Sequence, residues 1–102
     1  MNTLVKNKMH EIAALCKAHK VNVLSVFGSA AGKKMHAHSD VDFLVRFSDD
    51  IDAIEYSDNY FSLLHELESL MGKRVDLLSE KSLKNAVLIA EIERTKVQLY
   101  AA

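Results

Sequence analysis

The chain has 102 residues, of which 49% are hydrophobic and 26% are charged, and its formal net charge is -1. This length predicts one domain, residues 1–102, with a small core, and the charge argues against general affinity for nucleic acid or acidic membranes. No apolar run is long enough to span a membrane, the N-terminal segment lacks the apolar core of a signal peptide, and the single Cys16 excludes an internal disulfide, so we expect a cytoplasmic protein.

The first part of the chain predicts one helix and one strand. Residues 3–19 favour an amphipathic helix because four residues recur on one face: Val5, Met9, Ile12 and Cys16. Cys16 is therefore expected to be a buried, inert thiol. Residues 21–28 are rich in β-branched and aromatic side chains, which predicts a buried strand that ends at Gly28.

A second strand is predicted at residues 40–47, where successive side chains alternate between two faces. One face carries Val41, Phe43, Val45 and Phe47, and the other carries Asp40, Asp42, Leu44 and Arg46. The alternation therefore places two carboxylates on the same side of the strand.

Residues 57–71 predict a second helix. Ser57 or Asp58 is expected to cap its start and Gly72 to end it. Its apolar stripe is predicted to contain Tyr60, Phe61, Leu64, Leu67 and Leu70.

The remainder predicts a third strand at residues 74–78 and a helix at about 82–94. Residues 96–100 either continue that helix or form a short edge strand. The order of elements predicts an α/β or α+β fold with a small central sheet.

Two of the acidic residues, Asp40 and Asp42, suggest a metal site. Residues i and i+2 on a strand point the same way, with Cα atoms roughly 7 Å apart, and two carboxylates on one face repel each other unless a cation lies between them. Carboxylate oxygens suit Mg²⁺ or Mn²⁺, and a pair of such ions can stabilise both oxygens of a nucleotidyl transfer. The alternative is ordinary surface or capping chemistry at a strand start.

Gly28 and Ser29 suggest a phosphate-binding turn. Glycine lets the backbone approach a phosphate closely, Ser29 offers a hydroxyl, and a short helical turn at residues 29–31 would present free N–H groups to an anion. The alternative is a simple turn at the end of a strand.

Asp76 is the third candidate acid, because it lies inside an otherwise apolar strand. If the third strand neighbours the second, Asp76 can reach the same metal site and either bind a metal or take the acceptor's proton. The alternative is an ion pair with Arg74 or Arg46.

These residues carry a resemblance to a known family. Gly28-Ser29, followed by Asp40-Val41-Asp42, resembles the signature of the DNA polymerase β-like nucleotidyltransferase superfamily. Residues 72–85, GKRVDLLSEKSLKN, and the ending IERTKVQLY are similar to minimal nucleotidyltransferases, the antitoxin partners of HEPN-domain toxins. The resemblance covers nearly the whole chain.

The resemblance implies a mixed three-stranded core sheet flanked by helices, and an enzyme that uses two Mg²⁺ or Mn²⁺ ions. It implies that Ser29, with Gly28 beside it, binds the nucleotide. It implies that Asp40, Asp42 and Asp76 are the catalytic metal ligands. The implied activity is transfer of AMP from ATP to a tyrosine of a HEPN toxin.

The chain also departs from the family pattern. Many relatives have an arginine followed by a glycine after the serine, where this chain has Gly32 and Lys33, so Lys33, with Lys34, is expected to neutralise the phosphates instead. Relatives often have prolines where this chain has His38 and Ala86. His36 and His38 are expected to be polar loop residues rather than zinc ligands.

Three functions compete at this point. The first is an ATP-dependent protein adenylyltransferase, and the second is an antitoxin that neutralises its HEPN partner by binding alone. The third is a small-molecule nucleotidyltransferase, which the length disfavours because such enzymes generally add a domain to hold the acceptor. The acceptor surface would then come from a partner protein or from a homo-oligomer.

Overall fold

Four strands and four α-helices make up residues 1–32 and 40–102, the part of the chain that the computed structural model describes. The helices are α1 (Thr3–Asn7), α2 (Met9–Ala18), α3 (Ala53–Met71) and α4 (Ala86–Thr95). The strands are β1 (Val21–Phe27), β2 (Val41–Phe47), β3 (Val75–Ser79) and β4 (Val97–Ala101). Short 3-10 turns span Gly28–Ala31 and Glu80–Ser82.

The strands form one mixed sheet in the order β3-β2-β1-β4. Strand β1 is antiparallel to both β2 and β4, whereas β2 and β3 run parallel. This confirms the predicted α/β class and adds a fourth strand to the three-stranded core that the family resemblance implied. The added strand is β4. For residues 96–100, both a helix and an edge strand were predicted, and the edge strand is the one that forms.

The N-terminal helix differs from the single helix predicted at residues 3–19. It breaks at Lys8, whose amide donates to the carbonyl of Val5 at 3.0 Å, a tight i to i+3 bond that ends α1 before α2 begins. The predicted buried face is nevertheless confirmed, because Val5, Ile12 and Cys16 are fully buried and Met9 packs against them partly buried. Burial raises the pKa of the Cys16 thiol to about 12, in keeping with an inert thiol.

Helix α3 begins four residues earlier than predicted. The prediction that Ser57 or Asp58 caps it is wrong, because Asp52 is the cap and accepts the amide of Glu55 at 2.8 Å. Gly72 ends the helix, as predicted, and adopts the left-handed conformation. The predicted stripe is wrong at Phe61, which is 56% exposed. The residues of α3 that are buried against the sheet are Leu63, Leu67 and Met71, and Phe61 lies about 200° around the helix from Leu63.

Helix α4 begins later than predicted, because Asn85 supplies a cap. Its side-chain oxygen accepts the amides of Val87 at 2.9 Å and Leu88 at 3.1 Å. Of the residues before it that were predicted to be helical, Ser82 ends the 3-10 turn Glu80–Ser82, and residues 83–85 have no regular secondary structure. Strand β3 lies one residue further along the chain than predicted.

Both faces of the sheet are covered. The alternation predicted for β2 is confirmed, since Val41 and its three apolar neighbours on that face pack under α1, α2 and α3. On the other face Leu44 packs with Phe27 and with Ile92 of α4. Within residues 1–32 and 40–102, no helix is both long and apolar enough to cross a membrane.

Candidate active site

The parallel pairing of β2 and β3 brings two of the predicted acids together. Asp42 on β2 lies opposite Asp76 on β3 in the register, and parallel neighbours are roughly 4.8 Å apart. Asp42 is half-buried and Asp76 is exposed. Asp40, also exposed, stands immediately before β2. The third strand therefore neighbours the second, which is the arrangement that Asp76 needs in order to reach the same site as Asp42.

The electrostatic effect of the cluster falls on Asp42. Partial burial, followed by the charges of Asp76 and Asp40, together raise the pKa of Asp42 from 3.8 to about 6. The described residues show no ion pair between Asp76 and either Arg46 or Arg74. The alternative interpretation of Asp76, an ion pair with one of these arginines, is therefore wrong.

The donor set fits a hard divalent cation. All three candidate ligands are carboxylates, and burial, with the charges of Asp76 and Asp40, raises the pKa of Asp42, so a bound cation would favour its ionised form. Among the residues that the structure describes, no group of three or more His, Cys, Asp or Glu side chains could hold a metal ion by itself. Mg²⁺ typically binds through one or two carboxylates and completes its shell with waters and substrate phosphates, so an incomplete protein shell agrees with that ion.

Gly28 places the turn directly against Asp42. Phe27 at the end of β1 pairs with Asp42 of β2, so the next residue enters the turn beside that carboxylate. Gly28 has a φ of 66°, and a Cβ atom there would lie 2.8 Å from Oδ2 of Asp42. Only glycine satisfies both conditions, because other residues rarely adopt this φ and any side chain would displace the carboxylate.

The predicted short helical turn after Gly28 is confirmed as a 3-10 turn over Gly28–Ala31. Ser29 is exposed, whereas Ala30 is fully buried and anchors the turn in the hydrophobic core. The hydroxyl of Ser29 therefore stands on the surface, next to the residue that contacts Asp42.

Two distant residues, neither predicted from sequence, hold this turn. The amide of Gly28 donates to Oγ1 of Thr95 at 3.2 Å, across 67 residues of chain. The amide of Asn2 donates to the carbonyl of Ala30 at 3.2 Å. No local pattern marks either residue, because the partner in each case is far along the sequence.

Lys33, the third predicted nucleotide-binding residue, lies outside the described residues. The same holds for Lys34, His36 and His38. The loop predictions for these residues therefore stay predictions.

A mixed sheet that holds paired acids on two parallel strands beside a glycine-serine turn defines a nucleotide-transferring domain. The chain belongs to the family described as Polymerase beta, Nucleotidyltransferase, whose model matches residues 10–102. It is 33% identical over 87 residues to the protein adenylyltransferase MntA of Thermococcus cleftensis, covering 78% of this chain and 84% of that protein.

Solved structures agree with this membership. A structure provisionally assigned as a minimal nucleotidyltransferase has a TM-score of 0.75 and 28% identity, and the match covers 95% of each chain. A toxin-antitoxin structure with AMP-PNP has a TM-score of 0.71 and 26% identity, covering 92% of this chain and 73% of that one.

Proposed function

We propose that this chain, acting as a single domain over residues 1–102, transfers AMP from ATP to a tyrosine of a partner HEPN toxin and thereby silences it. The observation that carries the proposal is the pairing of Asp42 with Asp76 across β2 and β3, beside the Gly28 turn. The named relative is a protein adenylyltransferase, and a structural relative is a toxin-antitoxin assembly with a nucleotide analogue. A reaction that consumes ATP goes with a cytoplasmic location.

The nucleotide side of the site is assigned to the turn and its neighbours. The Ser29 hydroxyl would donate to a phosphate oxygen, and Gly28 would let the triphosphate pass close to Asp42. Lys33, in the following segment, would contribute positive charge in place of the arginine that many relatives carry. A triphosphate is strongly negative, so this charge would offset part of its repulsion from the acids.

The acids are assigned to metal binding and to the acceptor. Asp40 and Asp42 would hold two Mg²⁺ or Mn²⁺ ions, with Asp76 as a further ligand on the acceptor side. When bound, the ions would neutralise charge on the attacking and leaving oxygens. Burial and the neighbouring charges raise the pKa of Asp42, and a bound cation would favour its ionised form.

The reaction itself needs few protein groups. The tyrosine oxygen of the partner attacks the α-phosphorus of ATP, the bond from that phosphorus to the β-phosphate oxygen breaks, and pyrophosphate leaves. Asp76 is exposed at the sheet edge, where it would orient the hydroxyl and accept its proton. The described residues supply a nucleotide turn and acids. The acceptor hydroxyl comes from the tyrosine of the partner protein.

The test is co-expression with a HEPN partner, followed by mass spectrometry of that partner. Wild type should add AMP to a tyrosine. Asp42→Asn should abolish transfer and weaken metal-dependent ATP binding, because the Asp42 carboxylate lies against the Gly28 turn. Asp76→Asn should abolish transfer and largely spare ATP binding. Asp49→Asn is the matched control, since Asp49 is an exposed carboxylate outside this cluster.

The same experiment separates the competing functions. Silencing of the partner with no change in its mass, and equal silencing by both Asp variants, would show an antitoxin that acts by binding alone. AMP transfer to small hydroxyl compounds in the absence of any protein acceptor would favour the small-molecule enzyme.

A further inference from the structure

The hydroxyl of Thr95 links the C-terminal end of α4 to the candidate phosphate turn. Its oxygen accepts the amide of Gly28 at 3.2 Å, and the same hydroxyl donates to the carbonyl of Glu91 at 2.9 Å. A threonine hydroxyl has one hydrogen and two lone pairs, so donation to Glu91 directs a lone pair toward Gly28. The side chain is therefore held in one orientation by its own helix.

This contact acts where the turn lies against Asp42. The space between Gly28 and Asp42 is already full, because an added Cβ atom would lie 2.8 Å from the carboxylate oxygen. Movement of the Gly28 backbone toward β2 would push Asp42 aside, and movement away would open the gap. The hydrogen bond to Thr95 on α4 opposes both movements, because either one would change the distance between the Gly28 amide and the Thr95 hydroxyl.

The contact also changes the role of Gly28. Its amide is already bonded to Thr95, so it is not available to a phosphate oxygen. Nucleotide contacts must then come from Ser29 and later residues. The distance between those residues and Asp42 depends on where the Gly28 backbone is fixed.

We infer that Thr95 is a positioning residue, whose hydroxyl sets the distance between the phosphate turn and the acid on β2. The inference rests on the proposed nucleotidyl transfer. The hydroxyl of Thr95 bonds to the turn and to its own helix and, among the described residues, to none of the three acids, so its effect should fall on the nucleotide. Small misplacements of reacting groups reduce rates by large factors, which is why one hydrogen bond outside the reacting atoms matters here.

The test compares Thr95→Val, which keeps the shape and removes the hydroxyl, with Thr95→Ser, which keeps the hydroxyl. Thr95→Val should raise the KM for ATP and lower kcat, with kcat/KM falling about 10- to 100-fold, while the KM for the acceptor protein stays unchanged. Thr95→Ser should stay within about threefold of wild type, since the hydrogen bond is retained. Thr3→Val is the matched control, because Thr3 is an exposed threonine at the start of α1.

A merely structural role would give a different pattern. Partial unfolding would lower the active fraction, and hence the apparent kcat, with both KM values unchanged; that result would overturn the inference. Wild-type kinetics for Thr95→Val would overturn it as well. If Thr95→Val does not fold, the same kinetic comparison is made with Thr95→Ala, because alanine favours the helix and also lacks the hydroxyl.

Failure of the proposed function would be recognised separately. A wild-type chain that transfers no AMP contradicts the proposed function, and Thr95 is then tested by calorimetry with ATP and Mg²⁺. Weaker ATP binding by Thr95→Val than by wild type and Thr95→Ser supports the positioning role. Equal binding by all three refutes it.

Discussion

At the residue scale, Asp42 carries a pH-dependent cost to the fold. Folding raises its pKa from 3.8 to about 6, so between these pH values the folded chain binds a proton more tightly than the unfolded chain. Stability from this group is present below about pH 4 and is lost as the pH rises through about 6. In EDTA, Asp42→Asn should equal wild type near pH 4 and exceed it by about 1 kcal/mol at pH 7.5, a value discounted for solvent screening.

Denaturant unfolding across this pH range checks the prediction, with Asp49→Asn as control. A constant difference between Asp42→Asn and wild type at every pH would contradict it. Addition of Mg²⁺ should reduce the difference, because a bound cation relieves the repulsion that Asn removes.

The glycines provide a second prediction at this scale. Gly28 and Gly72 both have positive φ values, 66° and 64°, but only at Gly28 would a Cβ meet a neighbour. Gly72→Ala should therefore cost about 1–2 kcal/mol of stability from the backbone alone. Gly28→Ala should cost more than Gly72→Ala and should also abolish ATP binding, because the methyl group displaces Asp42.

Unfolding midpoints and ATP calorimetry of the two variants measure this difference. Equal stability losses with ATP binding retained in both would show that the contact between the turn and Asp42 has no role.

At the element scale, strand β3 is the edge of the sheet next to the site, and α3 covers its outer side. Glu68 accepts the amide of Val75 at 3.2 Å, and the Tyr60 hydroxyl donates to the carbonyl of Leu77 at 2.5 Å. These bonds occupy backbone groups that would otherwise be open to pairing with another strand. Tyr60→Phe should cost about 1 kcal/mol, since one carbonyl loses its partner.

Chemical denaturation should show this loss for Tyr60→Phe and almost none for Tyr100→Phe. The Tyr100 hydroxyl has no hydrogen-bond partner among the described residues, which makes it the matched control. A shift of Tyr60→Phe toward larger species at high concentration would further support protection of the edge. Equal stability of the two variants would contradict it.

The elements also show what could be predicted from sequence. The alternation in β2 correctly separated Val41 from Asp42, because a strand's period depends only on local backbone geometry. Helix starts were less accurate, since Asp52 and Asn85 compete with other capping residues nearby. The role of Thr95 could not be found this way, because its bond to Gly28 depends on how α4 packs on the sheet.

At the scale of the whole molecule, ATP should stabilise the fold only when the metal is present. ATP alone would meet the repulsion of Asp40, Asp42 and Asp76, whereas ATP with Mg²⁺ would bind the folded state and not the unfolded chain. At a ligand concentration of 100 times Kd the gain is about 2.7 kcal/mol. For a domain of this size that corresponds to a Tm increase of about 10 to 20 °C.

Thermal unfolding with ATP, with Mg²⁺, with both, and with both plus EDTA measures this directly. An equal rise in Tm with ATP in EDTA would contradict the metal-dependent site. The Asp42→Asn variant should show little rise in any of these conditions.

The buried Cys16 makes the chain a suitable background for labelling. It is the single cysteine, it is fully buried, and its pKa of about 12 keeps it as an unreactive thiol at neutral pH. A maleimide fluorophore would therefore attach only to a cysteine that is introduced elsewhere. Gly32 offers such a place, because a Cβ there would meet its nearest atom at 3.9 Å, so Gly32→Cys would carry a dye at the end of the turn and report nucleotide arrival as a change in emission.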